Sequence, residues 1–267
     1  VKAYYDTLAY FYGNALPISN TSIWAALLQS EELVKVATAL ECLQSIRAEI
    51  NEVLCGFRTK LFLAIKDDPV RWMKIAIATQ SGMIYPECLT HLVGSHPLSP
   101  WPTKRISLPS ELRQLIAAKS RELELLCYEA NESLLMSSIM VGKGPVTPDD
   151  SQHYETWTAV SIFRDAIATR LHKLDGQSYG RVRGRGAFYR AIAKGGTSFL
   201  DYEEVRGLCV DLMKSKWEDL GSDLKLLKSH AAGVVDKLAQ NELFIDPDSN
   251  GIGYLTCYKP QPSDRPW

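Results

Sequence analysis

The sequence lacks the features that mark several large classes of protein. Its 30 lysines and arginines against 31 aspartates and glutamates leave a net charge of −1. The strongly basic character of most nucleic-acid-binding domains is therefore missing. No apolar run reaches the ~20 residues that a membrane-spanning helix needs. We therefore expect a protein without membrane contact, located inside the cell in the cytoplasm or the nucleus.

Recognisable catalytic and cofactor motifs are also missing. None of the five histidines lies in an HExxH motif, no serine lies in a Gly-x-Ser-x-Gly elbow, and no phosphate-binding Gly-x-x-x-x-Gly-Lys loop occurs. The six cysteines include no CxxC pair, and wide spacing is typical of unpaired thiols in a reducing compartment. The sequence predicts a non-enzymatic protein without a cofactor.

Two short motifs admit a metal-binding interpretation beside a structural one. Cys88, His91 and His96 lie close in sequence, but a closed zinc site needs four ligands. Residues 246–251 open like a calcium loop, yet the twelfth position is Cys257, where that loop needs a glutamate. An Asn-Gly pair between two apolar runs is instead typical of a hairpin turn. We predict no metal at either place and a hairpin turn at residues 246–251.

The first half of the chain has the periodicity of α-helices. Between residues 22 and 93, apolar side chains recur at intervals of three and four, and Asp68-Pro69 is typical of a helix start. Four prolines within residues 94–109 interrupt this pattern, and a long helix is predicted from about 110 to 138. Residues 141–153, with two glycines and two prolines, are predicted to be a linker between domains.

The second half predicts helices with a few extended segments. After a helix that ends near Leu174, residues 175–186 are predicted to be a polar loop, residues 197–200 a short extended segment and residues 252–258 a strand. A helix capped by Asp201 is predicted to bury four side chains. The order helix, short strand, helix, turn, helix, hairpin is that of a winged helix-turn-helix. The four predicted core residues of the Asp201 helix are Val205, Leu208, Cys209 and Leu212.

One basic cluster stands out within the polar loop and the helix after it. It consists of Arg181, Arg183, Arg185 and Arg190, and the intervening glycines would let the backbone approach a phosphate or an acidic partner closely. We favour an exposed, solvated loop over a binding site. The second helix of the winged motif and the predicted wing carry three lysines against five carboxylates, which favours a protein partner over DNA.

Several stretches resemble fungal BTB/POZ-domain proteins. The clearest are Tyr5-Asp-Thr-Leu-Ala-Tyr-Phe-Tyr-Gly13 and Ile84-Tyr-Pro-Glu-Cys-Leu-Thr-His91. Residues 33–43, 68–76, 101–102, 188–190, 194–196, 202–205, 217–220 and 253–257 are similar to the same proteins. The resemblance implies that the chain begins within a BTB domain and continues with a BACK-like helical region. BTB domains in general form homodimers and recruit partners, and some are adaptors of cullin-type ubiquitin ligases.

The sequence as a whole predicts a mainly α-helical protein. We expect the end of a BTB-like domain at 1–21, a BACK-like helical array at 22–140, a linker at 141–153 and a winged-helix-like α+β domain with a C-terminal β-hairpin at 154–267. The expected function is a non-enzymatic scaffold or adaptor for protein partners, with self-association as one option. Two alternatives are a nucleic-acid-binding regulator that uses the arginine cluster and a substrate adaptor of a cullin-type ubiquitin ligase.

Overall fold

The protein is mainly helical, as its sequence predicts. The structure is a computed structural model that describes residues 2–267, and within that range it has eleven α-helices and one sheet of two short antiparallel strands. The helices are α1 (Lys2–Tyr10), α2 (Ile23–Ala39), α3 (Leu43–Gly56), α4 (Thr59–Asp67), α5 (Pro69–Ala78), α6 (Ile84–Gly94), α7 (Ser110–Leu135), α8 (Tyr154–Asp175), α9 (Gly180–Lys194), α10 (Tyr202–Leu212) and α11 (Leu220–Ala239). The strands are β1 (Met140–Val141) and β2 (Gly144–Pro145), with Val141 opposite Gly144.

The chain divides into two compact units. The first contains the residues up to Ser120 together with Glu242–Asp246 and Tyr258–Trp267, and the second contains Arg121–Asn241 and Pro247–Cys257. This division falls within α7, and the β1–β2 hairpin overlaps the start of the predicted linker, residues 141–153. The domain limits expected from the sequence, at residues 21, 140 and 153, stay a prediction.

A local sequence signal explains the start of α5 in the first unit. Asp68 precedes Pro69, and its carboxylate accepts a hydrogen bond from the backbone N–H of Arg71 at 3.2 Å. This bond satisfies one of the N–H groups that a helix start leaves without a partner.

The loop after α6 is held by Trp101, whose indole N–H donates to the carbonyl of Lys66 at 2.9 Å. Side chains around the whole circumference of α6 are buried, so this helix forms the centre of the unit.

In the second unit, glycines let α9 pack closely against an irregular segment. A Cβ atom on Gly186 would lie 2.1 Å from the carbonyl oxygen of Tyr254, and a Cβ on Gly253 would lie 2.0 Å from that of Arg183. No side chain fits at such distances, so glycine is required at both positions. The N–H of Ala187 donates to the carbonyl of Gly253 at 3.0 Å, which joins the two segments.

Three expectations about the second unit were wrong in whole or in part. Residues 180–186 belong to α9, not to a polar loop. A 3-10 turn, Gly196–Ser198, takes up the first half of the extended segment expected at 197–200, of which Phe199 alone has an extended backbone. Residues 252–258 form no strand, so the C-terminal β-hairpin is absent from the described residues. The backbone of Gly253 bonds to α9 and that of Ile252 to Pro247 and Arg190, so neither pairs with a neighbouring strand.

The prediction that four side chains of α10 are buried is also only partly confirmed. Asp201 caps this helix by accepting from the N–H of Glu203 at 2.8 Å, and Val205 and Cys209 are fully buried in the core of the second unit. Leu208 and Leu212 are instead 53% and 67% exposed. The apolar stripe of α10 is therefore wider than the face that its own unit covers.

Candidate functional site

The structure separates the four arginines of the predicted basic cluster. Arg190 is buried, and its Nε donates to the carboxylate of Asp248 at 2.7 Å while its Nη2 donates to the carbonyl of Ile252. This guanidinium joins α9 to the segment after residue 247 within the second unit. Arg183 is exposed on the surface of α9. Neither residue lies with the other two arginines at a common pocket.

Arg181 and Arg185 do meet at one cleft, because they are four residues apart on α9. Arg181 is exposed and forms a bidentate ion pair with Asp175, the last residue of α8. Arg185 is only 8% exposed, and its ion pair with Glu124 is long, at 3.5 Å. The cleft therefore contains one arginine that is neutralised and one that is weakly paired.

This cleft lies between α7, α8 and α9 and has a volume of about 510 Å³. Its walls combine apolar side chains with a few polar groups, and its size is within the range of small-molecule sites in proteins. We call it the arginine cleft. It is lined by Tyr128, Asn131, Glu132, Leu135, Ala168, Leu171, His172, Leu174, Asp175, Arg181 and Arg185.

A second concave surface of the same unit lies between α8 and α10. It has a volume of about 580 Å³, and we call it the apolar groove. Leu208 and Leu212 form its α10 side, and Trp157 and Ile162 contribute from α8. The remaining lining residues are Tyr154, Thr158, Ser161, Asp165 and Met213.

The charged groups of the apolar groove's lining and of α10 are mainly negative. Asp165 is the only charged residue that lines it. The helix α10 itself carries three carboxylates, of Glu203, Glu204 and Asp211, and one cation, Arg206. A cationic group that approaches the groove therefore meets a favourable field.

A buried acid and imidazole pair lies in α6 of the first unit. Glu87 and His91 are both fully buried, with 3.9 Å between Oε1 of the carboxyl and Nε2 of the imidazole. Burial raises the pKa of Glu87 to about 7, while the N–H of Phe244, which donates to Oε2 at 3.1 Å, favours the charged form. Burial lowers the pKa of His91 to about 3. Because neither side chain is exposed, a substrate cannot reach the pair, and its effect is on stability.

The structure does not bring together metal ligands at either of the two motifs for which a metal-binding interpretation was considered. No group of three or more His, Cys, Asp or Glu side chains that could hold a metal ion occurs within residues 2–267. Cys88 is fully buried, and Nδ1 of His96 lies 2.7 Å from a guanidinium nitrogen of Arg105. In the 246–251 segment, the carboxylate of Asp248 binds Arg190.

Comparison with protein-family models, with curated proteins and with solved structures gave no match. Across the described part of the chain, no helix has the length and apolar character needed to span a membrane.

Sequence reasoning missed the apolar groove, although its signal is present. Val205, Leu208, Cys209 and Leu212 recur at intervals of three and four, which is typical of a buried stripe. Only Val205 and Cys209 are covered by the core around Leu224. The apolar stripe of α10 contains four residues, and its own unit buries only two of them. A stripe this wide was the signal that could have indicated an open apolar surface.

Proposed function

We propose that the protein is a non-enzymatic interaction module that binds a partner protein in the apolar groove. The observation that carries this proposal is the exposure of Leu208 and Leu212 on the wall of a groove between the helices α8 and α10. Large apolar side chains grouped around a concavity are the usual anchors of a protein interface. Water is released when a partner covers them, and that release drives binding.

The occupant that fits this groove best is an amphipathic helix with basic residues on its polar face. A groove between two helices accepts a third helix that places apolar side chains at intervals of three and four residues. Asp165 in the lining and the net negative charge of α10 favour lysine or arginine beside those anchors. A helix with acidic flanks would meet repulsion at the same positions.

The arginine cluster supports this proposal over nucleic-acid binding. A phosphate backbone needs several accessible cations on one surface, whereas Arg190 is buried against Asp248 and Arg181 is paired with Asp175. Three expectations from the sequence stay predictions. They are membership of the fungal BTB/POZ proteins, a winged-helix arrangement in the second unit and a role as a cullin adaptor.

Fluorescence anisotropy with designed labelled helices tests the proposal. One peptide carries leucines on its apolar face and lysines on its polar face, and its matched control replaces the lysines by glutamates. We expect saturable binding of the lysine peptide to the full chain. The variant Leu212→Glu should weaken it at least about tenfold, because burying a carboxylate against the anchor side chains is costly.

The control variant is Leu226→Glu, since Leu226 is 58% exposed on α11 and does not line the groove. It should bind the lysine peptide as the wild type does. Equal binding of the two peptides, or equal effects of the two variants, would contradict the proposal.

A further inference from the structure

The arginine cleft is a second concave site, separate from the groove of the proposed function, and it contains a nearly buried cation. The guanidinium of Arg185 forms the 3.5 Å ion pair with Glu124 and lies beside the thiol of Cys127. A guanidinium has five N–H donors in a planar fork, so these two contacts leave donors without a protein partner. Glu124 is itself largely exposed, and water screens its attraction.

Two further polar groups of the lining can donate hydrogen bonds. Asn131 accepts from the hydroxyl of Tyr189 through Oδ1 at 2.9 Å, which leaves its amide NH₂ group as a donor. His172 lies in the last turn of α8. An acceptor-rich group, such as a carboxylate, matches the guanidinium fork and this amide.

The overall charge of the cleft limits how negative the ligand can be. The lining contains Arg181 and Arg185 against Glu132 and Asp175, and Glu124 pairs with Arg185 from beside it, so the formal charge is −1. A phosphate or another multiply charged anion would meet repulsion from Glu132 without a compensating excess of cations. The cleft therefore accepts one negative charge at most, placed on the guanidinium of Arg185.

The remaining walls are apolar. Leu135, Ala168, Leu171 and Leu174 line the cleft together with the ring of Tyr128. These side chains come from α7 and α8, and they offer a surface that an alkyl or aromatic group can cover. Burial of apolar ligand surface contributes about 25 cal/mol per Å² before the costs of association.

We propose that the arginine cleft binds a ligand that consists of one carboxylate and an apolar body, with the carboxylate on Arg185. The same chemistry is found in a free monocarboxylic acid and in a partner segment with a glutamate or aspartate among apolar residues. Arg185 is then a binding residue, whereas Arg181 holds Asp175 and Arg183 takes no part.

The test measures binding of octanoate to the full chain by ligand-observed NMR, with octanamide as the control that lacks the charge. A parallel arm uses a capped peptide of leucines around one glutamate, with the glutamine peptide as its control. We expect at least one carboxylate probe to bind at least about tenfold more tightly than its uncharged control, which is the lower end of the effect of a hydrogen bond to a charged group. Tighter binding of octanoate or of the peptide tells which source the cleft prefers.

Two variants and a matched control locate the site. Arg185→Gln should weaken binding about tenfold or more, and Arg183→Gln, on the exposed surface of the same helix, should leave it unchanged. Ala168→Phe places a ring in the cleft from an exposed position of α8, so it should block binding even where Arg185→Gln is poorly folded. The proposal is overturned by equal binding of charged and uncharged probes, by the absence of saturable binding in both arms, or by unchanged binding to Ala168→Phe.

Discussion

Replacing Arg190 by methionine tests whether this arginine has a structural role distinct from those of its neighbours. The change removes donors to the carboxylate of Asp248 and to the carbonyls of Ile252 and Tyr254, while a straight apolar chain of similar length remains. Hydrogen bonds of a charged group contribute about 1.5–3 kcal/mol each, and removing one partner of a buried ion pair costs about 3–5 kcal/mol. The carboxylate of Asp248 is half exposed, so water can solvate it in the variant, and we expect a loss of about 3 kcal/mol.

The loss can be measured by urea unfolding and by hydrogen exchange at the amide of Ala187, which bonds to the carbonyl of Gly253. Exchange at this amide reports on the contact between α9 and the 247–257 segment, which Arg190 holds in place. The control is Arg183→Met, an exposed position on the same helix, where a change within about 0.5 kcal/mol is expected. Equal losses in the two variants, or a loss below about 1 kcal/mol for Arg190→Met, would refute the structural role of Arg190.

Three further predictions concern single positions. Gly186→Ala should destabilise the protein, because its Cβ would overlap the carbonyl of Tyr254. Gly207→Ala on α10 meets no atom within 4 Å and should stabilise the protein by about 0.5–1 kcal/mol. Thermal unfolding of the two variants compares these effects. Glu87→Gln should become more stable relative to the wild type as the pH rises from 4.5 to about 7. Burial raises the pKa of Glu87 in the folded state, so the wild type loses stability once the pH exceeds the pKa of the unfolded state. Urea unfolding at several pH values measures the difference, and a difference that does not change with pH would contradict this prediction. Asp68→Ala removes the cap of α5 and should cost about 1 kcal/mol in chemical unfolding, with an unchanged midpoint counting against the cap.

Local signals in the sequence predicted the features that depend on near neighbours. The start of α5 follows from Asp68-Pro69, because both the cap and the fixed backbone angle of proline act within one turn. The periodicity of apolar residues predicted the mainly helical class for the same reason. Such signals do not depend on how distant parts of the chain meet.

The errors arose where a distant contact decides the local structure. Glycines at 180, 184 and 186 lower helix propensity, yet α9 includes all three because they let the helix approach neighbouring backbone and side chains. Asn250-Gly251 is typical of a hairpin, but the carbonyl of Ile252 binds Arg190, and no partner strand forms. The arginine cleft depends on three helices, so the sequence could name Arg181 and Arg185 but could not separate them from Arg183.

Site-specific photo-crosslinking tests the proposed interaction most directly. A photo-reactive amino acid replaces Leu212 in one variant and Leu226 in another, both within the full chain and inside cells. We expect protein adducts from position 212 and not from 226, and we expect the crosslinked partner segment to be an amphipathic helix that carries lysine or arginine. Equal adducts from both positions, no adducts from position 212, or a crosslinked segment that is acidic or non-helical would contradict the proposed interaction.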